Sequence, residues 1–271
     1  MKNSIFLFLF LILINTTTFS NGSTTSKGTK TIEINGKYIN LNIISYAGEE
    51  IKLNQLSDKK NSIIKREIAK DILQYNLSND KKNSFFKTKI KFDLLIPQNS
   101  NFEYLIKTTN SSISVNGING NFSINNSKGN ITIDNLIGTL NITNSNKDVK
   151  LSNVVGDIHV KGLFSRVITK NTLGILNIKT TDKKIKIKNA EKIGNISTSN
   201  ASISAEFKNI VSNSKIATSN HSLTIKIPED HNFNFSIFGD LIHIKNEFPQ
   251  LKTNKFLILG TSNGTIKIKK K

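Results

Sequence analysis

From about residue 106 onward, apolar positions recur at a spacing of 18 residues. Ile113, Ile131, Val149, Val167, Ile185 and Ile203 form one such column. Two residues on, a second reads Val115, Ile133, Leu151, Thr169, Ile187 and Ala205. A third, before a series of glycines, reads Ile137, Val155, Leu173 and Ile193. After the glycines come Phe122, Leu140, Ile158, Leu176 and Ile196, and then Ile124, Ile142, Val160 and Ile178. The glycines stand at 120, 138, 156, 174 and 194, in steps of 18, 18, 18 and 20. Several columns locked to one period are the signature of a repeat architecture, and the alternation within each unit is that of strands.

Each unit predicts two short strands and two turns. One turn is the glycine. The other is spelled by Asn, Ser, Thr and Gly, as in Thr108-Thr109-Asn110-Ser111, Asn126-Ser127-Lys128-Gly129 and Thr218-Ser219-Asn220-His221. These residues bond their own turn or tolerate left-handed backbone. One unit alone buries too few aliphatic side chains to offset the entropy of ordering it. Stacked units bury both sides of each column and pair backbones about 4.8 Å apart. The expected fold class is therefore all-β: a parallel β-solenoid, β-helix-like, of about 18-residue coils over residues 98–271. The period loosens over 228–260, which is expected to cap or kink that end.

One unit is irregular. It places Gly162-Leu163-Phe164-Ser165 where others have Asn, Ser or Thr, and carries Thr169 at an inward position. A drifted coil with a local bulge explains it. The alternative makes Leu163 and Phe164 an exposed apolar contact point.

The preceding region reads differently. Ile32 and Ile34, then Leu41 and Ile43, alternate loosely as strands. Ile64, Ile68, Ile72 and Tyr75 recur at helical spacing and predict one amphipathic helix within residues 62–77. Ile90, Phe92 and Leu94 alternate again, ending at Pro97. Residues 31–97 are thus expected to form a small N-terminal cap of strands and a helix over the exposed strand edge. Residues 21–30, rich in Gly, Ser, Thr and Lys, predict a flexible linker.

The N-terminus predicts a destination. Lys2 precedes ten consecutive apolar residues, Ile5 to Ile14, and Thr18 and Ser20 stand at −3 and −1 of a cut after residue 20. That is the layout of a secretory signal peptide, too short for a spanning helix. After its removal no transmembrane segment is expected, and the chain is expected in the periplasm, at the cell surface or outside the cell. It has no cysteine, hence no disulfide framework, thiolate metal site or lipidated Cys.

The charge is +19, from 38 basic and 19 acidic residues. Export argues against intracellular nucleic acid as the partner. Anionic glycans, the envelope surface and envelope proteins remain. Lys, Asn and Ile abound together, as A/T-rich genomes tend to produce, so codon bias is an alternative source of part of the charge. Lys184, Lys186 and Lys188 alternate with Ile185 and Ile187, so they share an outward face and are the candidate contact for an anionic polymer. The competing reading is a solvated, edge-protecting face.

Chemistry is sparse. His159, His221, His231 and His243 stand at no metal-ligand spacing, and neither a P-loop nor a nucleophile elbow occurs. Asp148 and Asp182 fall on different columns from Asp134 and Asp157, so no calcium-binding or two-carboxylate site is expected. No cofactor, metal or catalytic residue is expected.

The unit Thr261-Ser262-Asn263-Gly264-Thr265-Ile266-Lys267-Ile268, the looser turn units above and the strand Phe92-Asp93-Leu94-Leu95-Ile96-Pro97 resemble the bacterial putative-adhesin family, exported proteins of Thr-Ser-Asn-Gly strand repeats. It is similar to the head domains of autotransporter adhesins. The resemblance covers roughly residues 85–271 and implies a β-helix-like fold, export, and an adhesion or envelope role without catalytic residues. Two departures stand out: most turns here lack the final glycine, and the chain is far more basic. The expected function is an exported, non-enzymatic adhesin or surface-binding module. The alternatives are an envelope scaffold or stress-related protein binding other proteins, and, last, a polysaccharide-degrading enzyme.

Overall fold

The structure is a computed structural model, and it describes residues 21–25, 28–57, 62–79 and 88–271. The expected signal segment, 1–20, lies outside the described residues.

Alternating β-branched and polar residues give strands almost throughout. The first are β1 (Asn21–Thr25), β2 (Thr31–Lys37), β3 (Ile39–Tyr46), β4 (Glu50–Gln55), β5 (Ser62–Ala69), β6 (Ile72–Asn79) and β7 (Ile90–Pro97). Next come β8 (Phe102–Thr109), β9 (Ser112–Ser127), β10 (Ile131–Ile137), β11 (Leu140–Ser145), β12 (Val149–Val155), β13 (Ile158–Leu163), β14 (Val167–Thr180) and β15 (Ile185–Thr198). The last are β16 (Ile203–Ile210), β17 (Ser214–Ala217), β18 (Leu223–Ile227), β19 (Asn234–Phe238), β20 (Leu241–Asn246), β21 (Phe256–Gly260) and β22 (Asn263–Lys270). All belong to one 22-stranded sheet.

The expected architecture, a parallel β-solenoid of repeating coils with a small strand-and-helix cap, is overturned. At the centre the pairing closes on itself as a six-strand parallel barrel. β9 pairs with both β10 and β11, β10 with β12, β11 with β13, and β12 and β13 both with β14. The long strands β9 and β14 close it because each bends from one wall to the other. Further strands attach outside, and not in chain order. At one end β2 and β3 lie against β8 and β9, while the later β6 and β7 lie outside them. At the other, β21 and β22 insert between β17–β18 and the earlier β19–β20.

Other expectations are corrected too. The helix expected within 62–77 is an antiparallel hairpin of β5 and β6, and no helix occurs among the described residues. Lys70 turns it at φ 56°, and the core side chains are Ile64, Leu73, Tyr75 and Leu77. Ile68, a member of the expected helical stripe, is 57% exposed. Within the expected linker, Asn21–Thr25 forms β1, antiparallel to β4. Strand addition to an edge uses backbone groups and needs no apolar side chain.

The 18-residue spacing is the register of the parallel pairs: Ile113, Ile131, Val149, Val167, Ile185 and Ile203 stand side by side, as do Phe122, Leu140, Ile158 and Leu176. These columns fill the space between the walls. The column Ile137, Val155, Leu173 does not. Its members are 58%, 41% and 48% exposed, and Leu136, Val154 and Thr172, one residue earlier, point inward instead. Ile193, the expected fourth member, is buried beside Leu176 after a register shift. Asn135, Asn153, Asn171 and Asn189 cause the switch. Each has left-handed backbone, φ 52–54°. One such residue in a strand shifts the in–out parity by one. The next corner needs glycine. At Gly138, φ 144°, an added Cβ would come within 2.1 Å of the Gly120 carbonyl oxygen.

The opposite corner is held by a buried polar column. The Asn126 amide donates to the carbonyls of Ser111 (3.1 Å) and Gly129 (3.0 Å) and to Asn144 Oδ1 (3.2 Å), and its Oδ1 accepts from the Thr108 hydroxyl (2.8 Å). Asn144 donates to the Lys147 carbonyl at 2.8 Å, Thr180 to Ser165 at 2.7 Å and Thr218 to Ala201 at 2.8 Å. Each side chain satisfies turn carbonyls that neither wall reaches.

Two predictions follow from this interior. Asn126→Leu is expected to cost about 3 kcal/mol in chemical denaturation, because it strands two carbonyls and a hydroxyl at a buried corner. A loss under about 1 kcal/mol would show that the column does not hold the turn. Conversely, Thr169 and Thr172 are 1% exposed, and their hydroxyls lack a hydrogen-bond partner. The double change to Val should raise stability by about 1–3 kcal/mol by removing unsatisfied buried hydroxyls. An unchanged or lower denaturation midpoint would contradict that.

Candidate functional site

The first wall is built from β10, β12, the first halves of β14 and β15, and then β16, β18 and β22. Buried Ile185 and Ile187 fix the direction of their neighbours, so Lys184, Lys186 and Lys188 all project into solvent as expected. Register then brings together lysines that are distant in sequence. Lys170 stands directly beside Lys188 on the neighbouring strand. Lys150 shares the Lys186 column, with Ile168 between them. Farther along, Lys226 stands beside Lys269. Rows are about 4.8 Å apart and same-face positions about 6.6 Å apart along a strand, so the charges form a two-dimensional array.

The acids of this wall are engaged. Glu206, in register with Lys226, is ion-paired with Lys271 at 2.9 Å. Asp148 accepts from the Arg166 guanidinium of the next row. Asp134 accepts from the Ser152 hydroxyl (2.7 Å) and the Asn153 amide (2.9 Å). The Ser152 hydrogen bond chiefly holds the Asp134 carboxyl below its ordinary range. Partial burial opposes it, and the Asn153 amide, the Asn135 backbone and the positive Lys170 add to it.

Leu163 and Phe164 lie at the corner that leads into the first wall, 51% and 45% exposed. Phe164 has φ 53°, a conformation costly for a bulky residue, and its N–H donates to Thr181 Oγ1 at 3.0 Å. The two form a fixed apolar knuckle beside the lysine array, where Phe164 lines a hollow with Lys147, Arg166 and Lys183. Among the described residues no group of three or more His, Cys, Asp or Glu side chains gathers at metal-binding distance.

Reading the sequence missed two surfaces. One is the exposed ladder of Ile137, Val155 and Leu173. Its signal was the asparagine at 135, 153, 171 and 189, a residue type that tolerates left-handed backbone. The other is the second wall, whose outward positions are mostly Asn, Ser and Thr.

No family model matches the chain, and no curated protein matches it. Two solved structures are similar to it. One is a putative cell adhesion protein from Clostridium sporogenes ATCC 15579, at 11% identity over 93% of this chain and 98% of that one, TM-score 0.26. The other is a putative adhesin from Bacteroides fragilis NCTC 9343, at 14% identity over 92% and 96%, TM-score 0.40.

The depressed Asp134 carboxyl gives a pH prediction with a definite sign. Its contribution to stability is complete above the unfolded carboxylate value of about 4 and is lost as pH falls through the lower folded value. Ser152→Ala should therefore move the Asp134 titration upward in carboxyl NMR and start acid destabilisation at higher pH. An unmoved titration would show that Ser152 does not set it.

Proposed function

We propose that this chain is an exported, non-enzymatic binding module that adheres to an anionic polymer through the lysine array of its first wall. One observation carries the reading: Lys170, Lys186 and Lys188 are exposed side by side on rigid strands, while Glu206 and Asp148 nearby are neutralised by Lys271 and Arg166. Such an array attracts a chain of like anionic groups at many points, and its field is strongest where no free acid interrupts it. A binding role is also supported by the use of the acids. Asp134, Asp148, Asp157 and Asp182 each accept a hydrogen bond from the neighbouring row, and none of those bonds comes from a second carboxyl. An adhesin of the cell surface fits this chemistry.

A second reading keeps the chain within the envelope with a protein partner. The Leu163–Phe164 knuckle favours it, since exposed apolar side chains on a rigid corner serve as anchors.

Residues 21–271 should bind an immobilised anionic glycan at low salt, and binding should weaken steeply as salt rises. Replacing Lys184, Lys186 and Lys188 with Ser should weaken it about 100-fold, at about 1 kcal/mol per lysine facing an anionic surface. If binding survives the triple change, the array is not the contact. If there is no binding even at low salt, the anionic-polymer reading fails and the protein-partner reading takes its place.

A further inference from the structure

The second wall carries a different chemistry. Its central strands are β8, the second half of β9, β11 and β13, paired in parallel with Tyr104, Phe122, Leu140 and Ile158 inward. Inward alternation fixes the outward positions. They bring Lys107, Ser123, Asn125, Asn141, Thr143, His159 and Lys161 to one groove of about 410 Å³.

These side chains are unengaged, which is unusual in this molecule. Elsewhere outward asparagines bond their neighbours: Asn121 accepts from Thr139 (2.9 Å), Asn171 donates to Asn153 (2.9 Å) and Asn189 donates to Asn171 (2.9 Å). Among the described residues, these seven groove side chains, set on β8, β9, β11 and β13, make no hydrogen bond or ion pair. They present donors and acceptors interleaved along four rows, spanning about 14 Å at the row spacing of parallel strands.

We propose that this groove binds a neutral, extended polysaccharide chain lying across the strands. Asn125 and Asn141 each offer a donor and an acceptor, and Ser123 and Thr143 do the same through one oxygen. A ligand that matches this pattern must itself carry donors and acceptors along its length, as vicinal sugar hydroxyls do. The row spacing is close to the advance of one sugar in an extended β-1,4-linked chain. Other occupants fit less well. A protein partner needs an apolar or aromatic anchor, and the groove offers only half-buried Leu105 at its edge. Single-stranded nucleic acid needs aromatic stacking platforms, and no aromatic carbocycle lines the groove. The lysine array lies on the opposite wall, so this site stands apart from the anionic-polymer reading.

The test is isothermal titration of residues 21–271 with cellohexaose and with the hexamer of N-acetylglucosamine, at about 0.5 M salt to screen the lysine array. Saturable binding of at least one hexamer is expected. It should fall at least tenfold in Asn125→Ala/Asn141→Ala and in His159→Ala, and stay unchanged when Lys184, Lys186 and Lys188 become Ser. The substituted groove side chains are exposed, so the fold tolerates their loss. Absence of saturable binding for both hexamers overturns the proposal, as does binding indifferent to the groove substitutions. Loss of binding in the lysine variant at this salt also overturns it, because the contact then lies on the first wall.

Discussion

The constraint on which the structure depends is the hydrogen-bond demand of its corners. A chain that runs through one wall, turns and returns through the other leaves turn carbonyls that no strand ladder reaches. Buried, each would cost as much as a lost hydrogen bond. The Thr108, Asn126, Asn144, Thr180, Thr198, Thr218 and Thr261 side chains fill this corner from the inside, all at most 7% exposed. Ser165 compensates where Gly162 interrupts the column, donating to the Asn144 carbonyl at 3.2 Å. Because each of these side chains reaches the row before or after it, the corner column also fixes the vertical register of the aliphatic columns.

This constraint explains which parts of the fold were legible in the sequence. The turn words Asn-Ser-Lys-Gly and Thr-Ser-Asn-Gly spell the corner, and their period is the register of the strands. The direction of side chains was not legible from period alone. Ile137, Val155 and Leu173 repeat as faithfully as Ile133 and Leu151, but the left-handed asparagine between them reverses the alternation. The 62–77 segment failed for a related reason. Ile64, Ile68 and Ile72 satisfy a helical period, while Leu73, Tyr75 and Leu77 satisfy a strand period. The tertiary edge of β2, available to β6, decides between them.

The order of strands at the two ends lay beyond any periodic reading. A parallel stack ends in open edges, and here the two ends finish differently. At one end β4 and β5 pair antiparallel to β7 and β6, with Lys65, Arg66 and Glu67 on the outermost strand. At the other, β21 and β22 lie inside the earlier β19–β20, and Lys271 reaches Glu206. Charged, short or covered edges resist pairing with another chain. Insertion of the last strands between earlier ones also means that the end row cannot complete before the chain does.

The candidate sites follow from what the corners leave over. Asparagine, serine and threonine near a corner bond the next row, so their chemistry is used within the protein. Side chains at the centre of a wall have no such neighbour demand, since their backbones are satisfied by the ladder and their stems rest on the aliphatic columns. Those positions vary without cost to the fold, and the two walls have taken different compositions there. Lysines occupy the centre of the first wall although like charges in adjacent rows repel. Amides and hydroxyls, with Lys107 and Lys161 among them, occupy the centre of the second. A single scaffold thus holds a charge-dense surface and a hydrogen-bonding surface on opposite sides, and a salt series separates the two: screening weakens the first and leaves the second.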